Sequence, residues 1–247
     1  MDSYPGGKAQ PGVYQQLINQ IPPHETFLSC FLGNCAVTRH KRPAARTIGL
    51  DLDPAVLLRW HARQFPGLEL FNSDATAFLR SFFSLEAYPR RPNTPQNPRS
   101  AFVYCDPPYP HATRTKRRVY RHEMSDQQHE ELCATLLQLP CPTMISTYPN
   151  PLYTEAFHDW RSFDYQAITR GGTKRTERVY MNYGLPDALH DYQHWGTDKR
   201  HREAITRRKK NLRRLLLSRD AFERYAVLQY VQDLYSSTEP DPNDSEP

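Results

Sequence analysis

Residues 101–109 read Ala101-Phe102-Val103-Tyr104-Cys105-Asp106-Pro107-Pro108-Tyr109. A short apolar run that ends in a turn describes a strand buried on both faces, the kind found in parallel sheets covered by helices. The turn is stiff, because proline has no N–H and holds φ near about −65°. A carboxylate therefore stands at the carboxyl end of a buried strand, on a corner with little freedom.

Working outward, the same alternation recurs. Thr26–Leu32 reads as a buried strand followed by a glycine turn that opens a helix, and Ala45–Asp51 as a second strand. Pro54–Phe65 reads as a helix with proline in its first turn. Leu68–Phe71 is a short third strand, Ala75–Leu85 a helix, and 86–100 a loop rich in Pro, Asn and Arg. Beyond the quoted stretch, Ser125–Leu139 is a helix in which Ser125 and Gln128 form a capping box. Thr143–Ser146 is a strand, and Arg161–Thr169 with Arg175–Tyr183 make a hairpin near Gly171-Gly172. Strands alternating with helices predict an α/β fold, a Rossmann-like mixed and mostly parallel sheet with helices on both faces. Ligands of such sheets bind beyond the carboxyl ends of the strands.

Composition narrows the class. Hydrophobic residues make up 38% of 247 and mean hydropathy is −0.78, so one core is feasible and much of the chain is surface or loop. The net charge of +5 matters less than its distribution, since Lys199–Arg219 carries ten Lys or Arg against one Glu. A local basic surface suits an anionic polymer. Five cysteines without CxxC spacing and no apolar leader predict reduced thiols, a cytoplasmic location, and neither disulfide framework nor metal site. No stretch is apolar enough for a membrane helix.

The corner at 106–109 suits one difficult reaction. The lone pair of an aryl amine is delocalised into its ring, so the nitrogen is a poor nucleophile towards a methyl group. Hydrogen bonds accepted from the amino protons turn it towards a tetrahedral geometry. Asp106 and the carbonyl of Pro107 suit that task, Pro108 stiffens the turn, and Tyr109 is placed to stack on a base swung out of a duplex. Phe31-Leu32-Gly33 ends a strand in a turn where Gly33 lets a ligand approach the backbone. Asp51, at the tip of the next strand, is placed for the ribose hydroxyls of a nucleoside cofactor, and Asp74, at the third tip, for an adenine amino group.

Tyr4-Pro5-Gly6-Gly7-Lys8, the Phe-x-Gly turn at 31–33, the acid at 51 and Asp-Pro-Pro-Tyr at 106–109 occur in one order. That order resembles the Dam-type class of adenine-N6 DNA methyltransferases, especially its compact phage and prophage members. Tyr120–Met124, Asn150–Tyr153, Lys174–Glu177 and the basic run Arg207-Arg208-Lys209-Lys210 are similar to that group as well. The resemblance implies a class I methyltransferase fold with a basic helical C-terminal extension, and S-adenosylmethionine as cofactor. Residues 1–185 would form the catalytic domain, with a basic loop at 110–124 beside the target pocket. Residues 186–235 would be a DNA-binding extension and 236–247 a disordered tail. Tyr4, Gly6, Gly7 and Lys8 would lie against the methionine part of the cofactor. Phe31 and Gly33 would shape its turn, Asp51 would hold its ribose and Asp74 its adenine. Asp106 and Pro107 would bind the target amino group, and Tyr109 would stack on the target base.

Double-stranded DNA is the implied partner of a protein acting as a monomer or weak dimer. The implied setting is a phage or a restriction–modification system, in a bacterial or phage-infected cell. Arg114, Lys116, Arg117, Arg118 and Tyr120 lie just after the catalytic corner, where they would meet phosphates or base edges. Lys174, Arg175, Arg207, Arg208, Lys209 and Lys210 are further candidates for DNA contact, the basic helix making positioning contacts blind to sequence. Two departures from the family pattern stand out. Cys35 occupies a position where a second glycine is usual, which costs the turn backbone freedom, and Ser29-Cys30 replaces Glu-Pro. Larger members insert a target-recognition domain before the catalytic corner, whereas 52 residues separate Asp53 from Asp106 here. The same chemistry on cytosine-N4 or RNA adenine, and a non-catalytic DNA-binding relative with an impaired cofactor site, are the alternatives.

Overall fold

The computed structural model describes residues 8–10, 12–84, 100–110, 121–168 and 172–237. The first compact unit runs to Trp195 and the second begins at Gly196. The first unit holds β1 (Thr26–Cys30), β2 (Arg46–Asp51), β3 (Leu68–Asn72), β4 (Ala101–Cys105), β5 (Thr143–Thr147), β6 (Arg161–Ile168) and β7 (Lys174–Met181). Among the described residues these strands form one sheet of order β3-β2-β1-β4-β5-β7-β6. The neighbours from β3 to β5 pair in parallel, while β7 is antiparallel to both β5 and β6. This is the mixed, mostly parallel sheet with helices on both faces that the sequence predicts, and the chain order reverses between β1 and β4.

Strand alternation decides which helix covers which face. Leu28, Cys30, Ile48, Leu50, Val103, Cys105 and Ile145 point to one side, where α4 (Ala75–Phe83), α5 (Asp126–Leu137) and α6 (Pro151–Ala156) supply Leu79, Phe82, Leu132, Leu136 and Tyr153. Phe27, Phe102, Tyr104, Met144, Val179 and Met181 point to the other. There α1 (Val13–Ile18), α2 (Ala36–His40) and α3 (Pro54–Ala62) supply Val13, Leu17, Val37, Val56 and Trp60. Each large side chain so buried contributes about 1.5–3 kcal/mol relative to exposure.

The helices start where their caps dictate. Asp53, Asp74 and Ser125 each accept a backbone N–H from the first turn of α3, α4 and α5, and Pro54 occupies the first turn of α3. The second unit contains α7 (Lys199–Leu217) and α8 (Ala221–Ser237). The sequence reads as helical from Lys199 to about Tyr235. This stretch breaks because Ser218 caps α7 and Asp220 accepts from Glu223 N to start a new helix. Among the described residues no helix is long and apolar enough to cross a membrane.

Candidate active site

The turn after β1 is held on every side. Leu32 N donates to Leu50 O at 2.8 Å, and Gly33 N donates to Asp51 Oδ2 at 2.8 Å. Trp60 Nε1 donates to Gly33 O at 2.8 Å. Two residues of the turn take left-handed backbone angles, Phe31 with φ 57° and Gly33 with φ 44°. For a phenylalanine that conformation is strained by about 1–3 kcal/mol, a cost met where the surroundings fix it and often found at functional sites. Cys35 has φ −52°, and its sulfur accepts from Thr38 N to cap α2. The backbone freedom that Cys35 removes is therefore not needed at that position.

Beyond the tips of β1, β2, β3 and β4 lies a cavity of 220 Å³. Phe31, Leu50, Leu52, Ala75, Pro108 and Met124 give it apolar walls, and Asp51, Asp53, Asp74, Asp106, Glu123 and Glu131 give it acid groups. Arg121 also lines it, with Nη1 3.1 Å from Asp53 Oδ1. Both oxygens of Asp51 already hold the loops, accepting from Gly33 N and Asp53 N at 2.8 Å each. Burial raises the Asp51 pKa, against those two hydrogen bonds. A carboxylate oxygen has capacity for a second donor, so Asp51 can build the turn and still accept a hydroxyl from the cavity. Asp74 Oδ1 likewise caps α4 through Ala77 N at 2.8 Å.

Asp106 lines the cavity, its side chain 18% exposed. On its far side is a buried cluster. Lys8 Nζ lies 2.9 Å from Asp106 Oδ1 and 2.9 Å from Glu177 Oε2, and it also donates to the Tyr109 hydroxyl. The Tyr109 hydroxyl is 2.9 Å from Glu177 Oε2 and 3.4 Å from Asp106 Oδ1. Tyr165 donates to Glu177 Oε2 at 2.5 Å and meets Ser146 Oγ at 2.9 Å. Burial pushes Asp106 up to about 6; Lys8 pulls it down and Glu177 adds to the rise. Burial alone would lower the Lys8 ammonium, but Asp106 and Glu177 together hold it well above its ordinary value. One cation thus serves two anions.

The structure brings Phe31, Asp51, Asp74, Asp106 and Pro108 to one cavity, as their strand-tip positions predict. Gly33 shapes the adjoining turn, and Pro107 lies within the corner between Asp106 and Pro108. Lys8 is found on Asp106 and Glu177, behind the corner, and is not among the residues lining the cavity. Tyr109 is 2% exposed, with its ring centroid 4.3 Å from that of Tyr148. Lys174 and Arg175 begin β7, and Arg207, Arg208, Lys209 and Lys210 lie exposed on α7. The expectations on Tyr4, Gly6, Gly7, Arg114, Lys116, Arg117, Arg118 and Tyr120 lie outside the described residues, as does the tail from 238 onward. Tyr165 is a site member that motif reading passes over, and Glu177 is one that it includes in Lys174–Glu177 without giving it a role. A signal existed: Glu177 is an acid in register with Val179 and Met181 on a core-facing stripe, where a charge is rarely tolerated without a partner.

Residues 85–176 match the family model of the D12 class N6 adenine-specific DNA methyltransferases, which bears out the resemblance drawn from the motifs. No curated protein matches the chain. Among solved structures, the putative methyltransferase yhhF from Escherichia coli is similar at 17% identity, over 73% of this chain and 92% of that one, with a TM-score of 0.41. The 23S rRNA methyltransferase ErmE is similar at 12% identity, over 83% and 78%, with a TM-score of 0.45. The N-methyltransferase NodS from Bradyrhizobium japonicum WM9, in complex with S-adenosyl-L-homocysteine, is similar at 9% identity, over 69% and 86%, with a TM-score of 0.45. The family match supports methyl transfer as the class of reaction here.

Proposed function

We propose that this chain methylates the N6 amino group of adenine in double-stranded DNA, with S-adenosylmethionine as the methyl donor. The observation that carries the reading is Asp106. It stands on a rigid diproline corner at the edge of the cavity, with Oδ1 engaged by Lys8 and Oδ2 taking no donor from the described residues. A base whose amino group reaches this corner donates one N–H to Asp106 and the other to the Pro107 carbonyl. The lone pair then concentrates on nitrogen, and positioning with hydrogen bonding supplies most of the rate. Tyr109 itself is buried, so the aromatic face for the flipped base would come from the half-buried Tyr148, whose ring packs against it.

The cavity fits the donor by its chemistry. Its acids suit ribose hydroxyls, an amino group and a sulfonium, and Phe31, Leu50 and Leu52 suit the faces of an adenine. Asp51 would hold the ribose, Asp74 the adenine edge, and the Phe31–Gly33 turn the flank. When bound, the cofactor supplies an electrophilic methyl group on sulfur. No covalent enzyme intermediate is required, because the amine itself is the nucleophile. Lys174, Arg175 and the basic face of α7 would contact DNA phosphates.

The test is mass analysis of nucleosides after the protein and S-adenosylmethionine are incubated with DNA and, separately, RNA. N6-methyladenine in DNA is expected, and none with Asp106→Ala. Methyl groups on cytosine-N4 or only in RNA would reassign the substrate. Full activity in the Asp106→Ala chain would overturn the mechanism.

A further inference from the structure

Glu177 is the only acid on the inward stripe of β7 among the described residues, and it is buried. Burying a carboxylate is unfavourable unless it is paired, and the described residues pair Glu177 through Oε2. Oε2 receives Lys8, Tyr109 and Tyr165, all within 2.9 Å. Tyr165 is its cross-strand partner in the β6–β7 register, and Ser146 Oγ lies 2.9 Å from the Tyr165 oxygen.

The decisive detail is where one proton goes. Tyr109 has a single O–H, and its oxygen lies 2.9 Å from Glu177 and 3.4 Å from Asp106. Glu177 wins it by distance. Glu177 also takes a share of the Lys8 ammonium that would otherwise serve Asp106 alone. Its negative charge opposes that of Asp106 across the same lysine. All three effects act in one direction: they leave Asp106 a less satisfied and more basic carboxylate.

We propose that Glu177 is a positioning residue for methyl transfer, which draws the Tyr109 proton and part of the Lys8 charge away from Asp106 so that Asp106 accepts strongly from the target amine. This rests on the function proposed above. Tyr165 tunes it from behind. Without the Tyr165 hydroxyl, Glu177 has one donor fewer and pulls harder on Lys8, so Asp106 becomes more basic still.

The experiment uses the full chain with Glu177→Gln and Tyr165→Phe. Two quantities are read: the titration of the Asp106 carboxyl carbon by NMR in cofactor-free protein, assigned with Asp106→Asn, and the acid limb of the rate of DNA methylation. For Glu177→Gln both midpoints should move down by about one pH unit. The rate above the limb should fall on the order of 10-fold, with KM for DNA unchanged. For Tyr165→Phe both should move up, by a fraction of a unit. Opposite displacements cannot come from a general loosening of the fold. Midpoints unmoved in both variants, or displaced in the same direction with a lowered melting temperature, would overturn the proposal. If Glu177→Gln does not fold, the sign of the Tyr165→Phe displacement decides. A wild-type chain that leaves DNA unmethylated sinks the proposed function, while the NMR titration still decides whether Glu177 governs the charge on Asp106.

Discussion

Among the described residues Asp106 takes its donors, Lys8 and Tyr109, on one oxygen, and burial lifts its pKa to about 6. Two pH effects of opposite sign follow. Only the ionised carboxylate is a full acceptor for the amino proton, so the methylation rate should rise as pH increases through about 6; a flat profile from pH 5 to 8 would contradict this. For stability, a carboxylate raised above its unfolded value favours the fold at acid pH. That contribution is full below the ordinary value of 3.8 and is lost as pH rises through about 6. Asp106→Asn removes this titration, so the variant should gain melting temperature over wild type more at pH 7.5 than at pH 5. The same change should lower kcat by roughly 10²–10⁴-fold, read in single-turnover assays. At this scale the sequence was legible where chemistry and local pattern coincide. Asp51 ends β2, Asp106 directly follows β4 and Asp74 lies just past β3, and each meets the cavity. Glu177 was less so, because its importance comes from Lys8, which no local pattern brings to it.

The strands were readable because each is a short apolar run between turns, and the edges of β4 and the start of β5 coincide with those runs. The capping box on α5 was equally plain, since Ser125 and Gln128 carry the whole signal in their side chains. The helices α1 and α6 were not read as such, with six residues each. Helices so short have little intrinsic stability; Leu17, Ile18 and Tyr153 buried at 0% exposure hold them instead. The β1 turn yields a prediction at this scale. A Cβ placed on Gly49 would come 2.7 Å from Leu32 Cδ2 and 3.2 Å from Leu70 Cδ2. Leu32 stands between Phe31 and Gly33, so Gly49→Ala should destabilise the fold by about 1–3 kcal/mol and also weaken cofactor binding. Denaturant melts and calorimetry with S-adenosylmethionine check the two parts. Asp53→Ala removes both the α3 cap and the ion pair with Arg121 and should cost about 1 kcal/mol, seen as a lower denaturation midpoint.

For the whole molecule, the Lys8–Asp106–Glu177 cluster and the basic helix belong to different units. The cluster lies in the unit that ends at Trp195, and α7, rich in Arg and Lys, lies in the other. Replacing Arg207, Arg208, Lys209 and Lys210 together by Ala should weaken DNA binding across all sequences. The slope of log affinity against log salt should fall by about 0.9 for each phosphate left without its cation. The rate on saturating DNA should be unchanged. A fluorescence titration at several salt concentrations measures this, and an unchanged slope would remove α7 from the interface. The alternation that fixes the sheet was visible in sequence. The insertion of β7 between β5 and β6 was not, because it depends on which edge the last strand reaches. That insertion also sets a timetable. Lys8 is made first and 168 residues separate it from Glu177, whose strand is the last of the sheet, yet the two meet over one tyrosine. A nascent chain that has not yet synthesised β7 offers its buried ammonium one carboxylate instead of two, so the cluster is completed only when that strand is made.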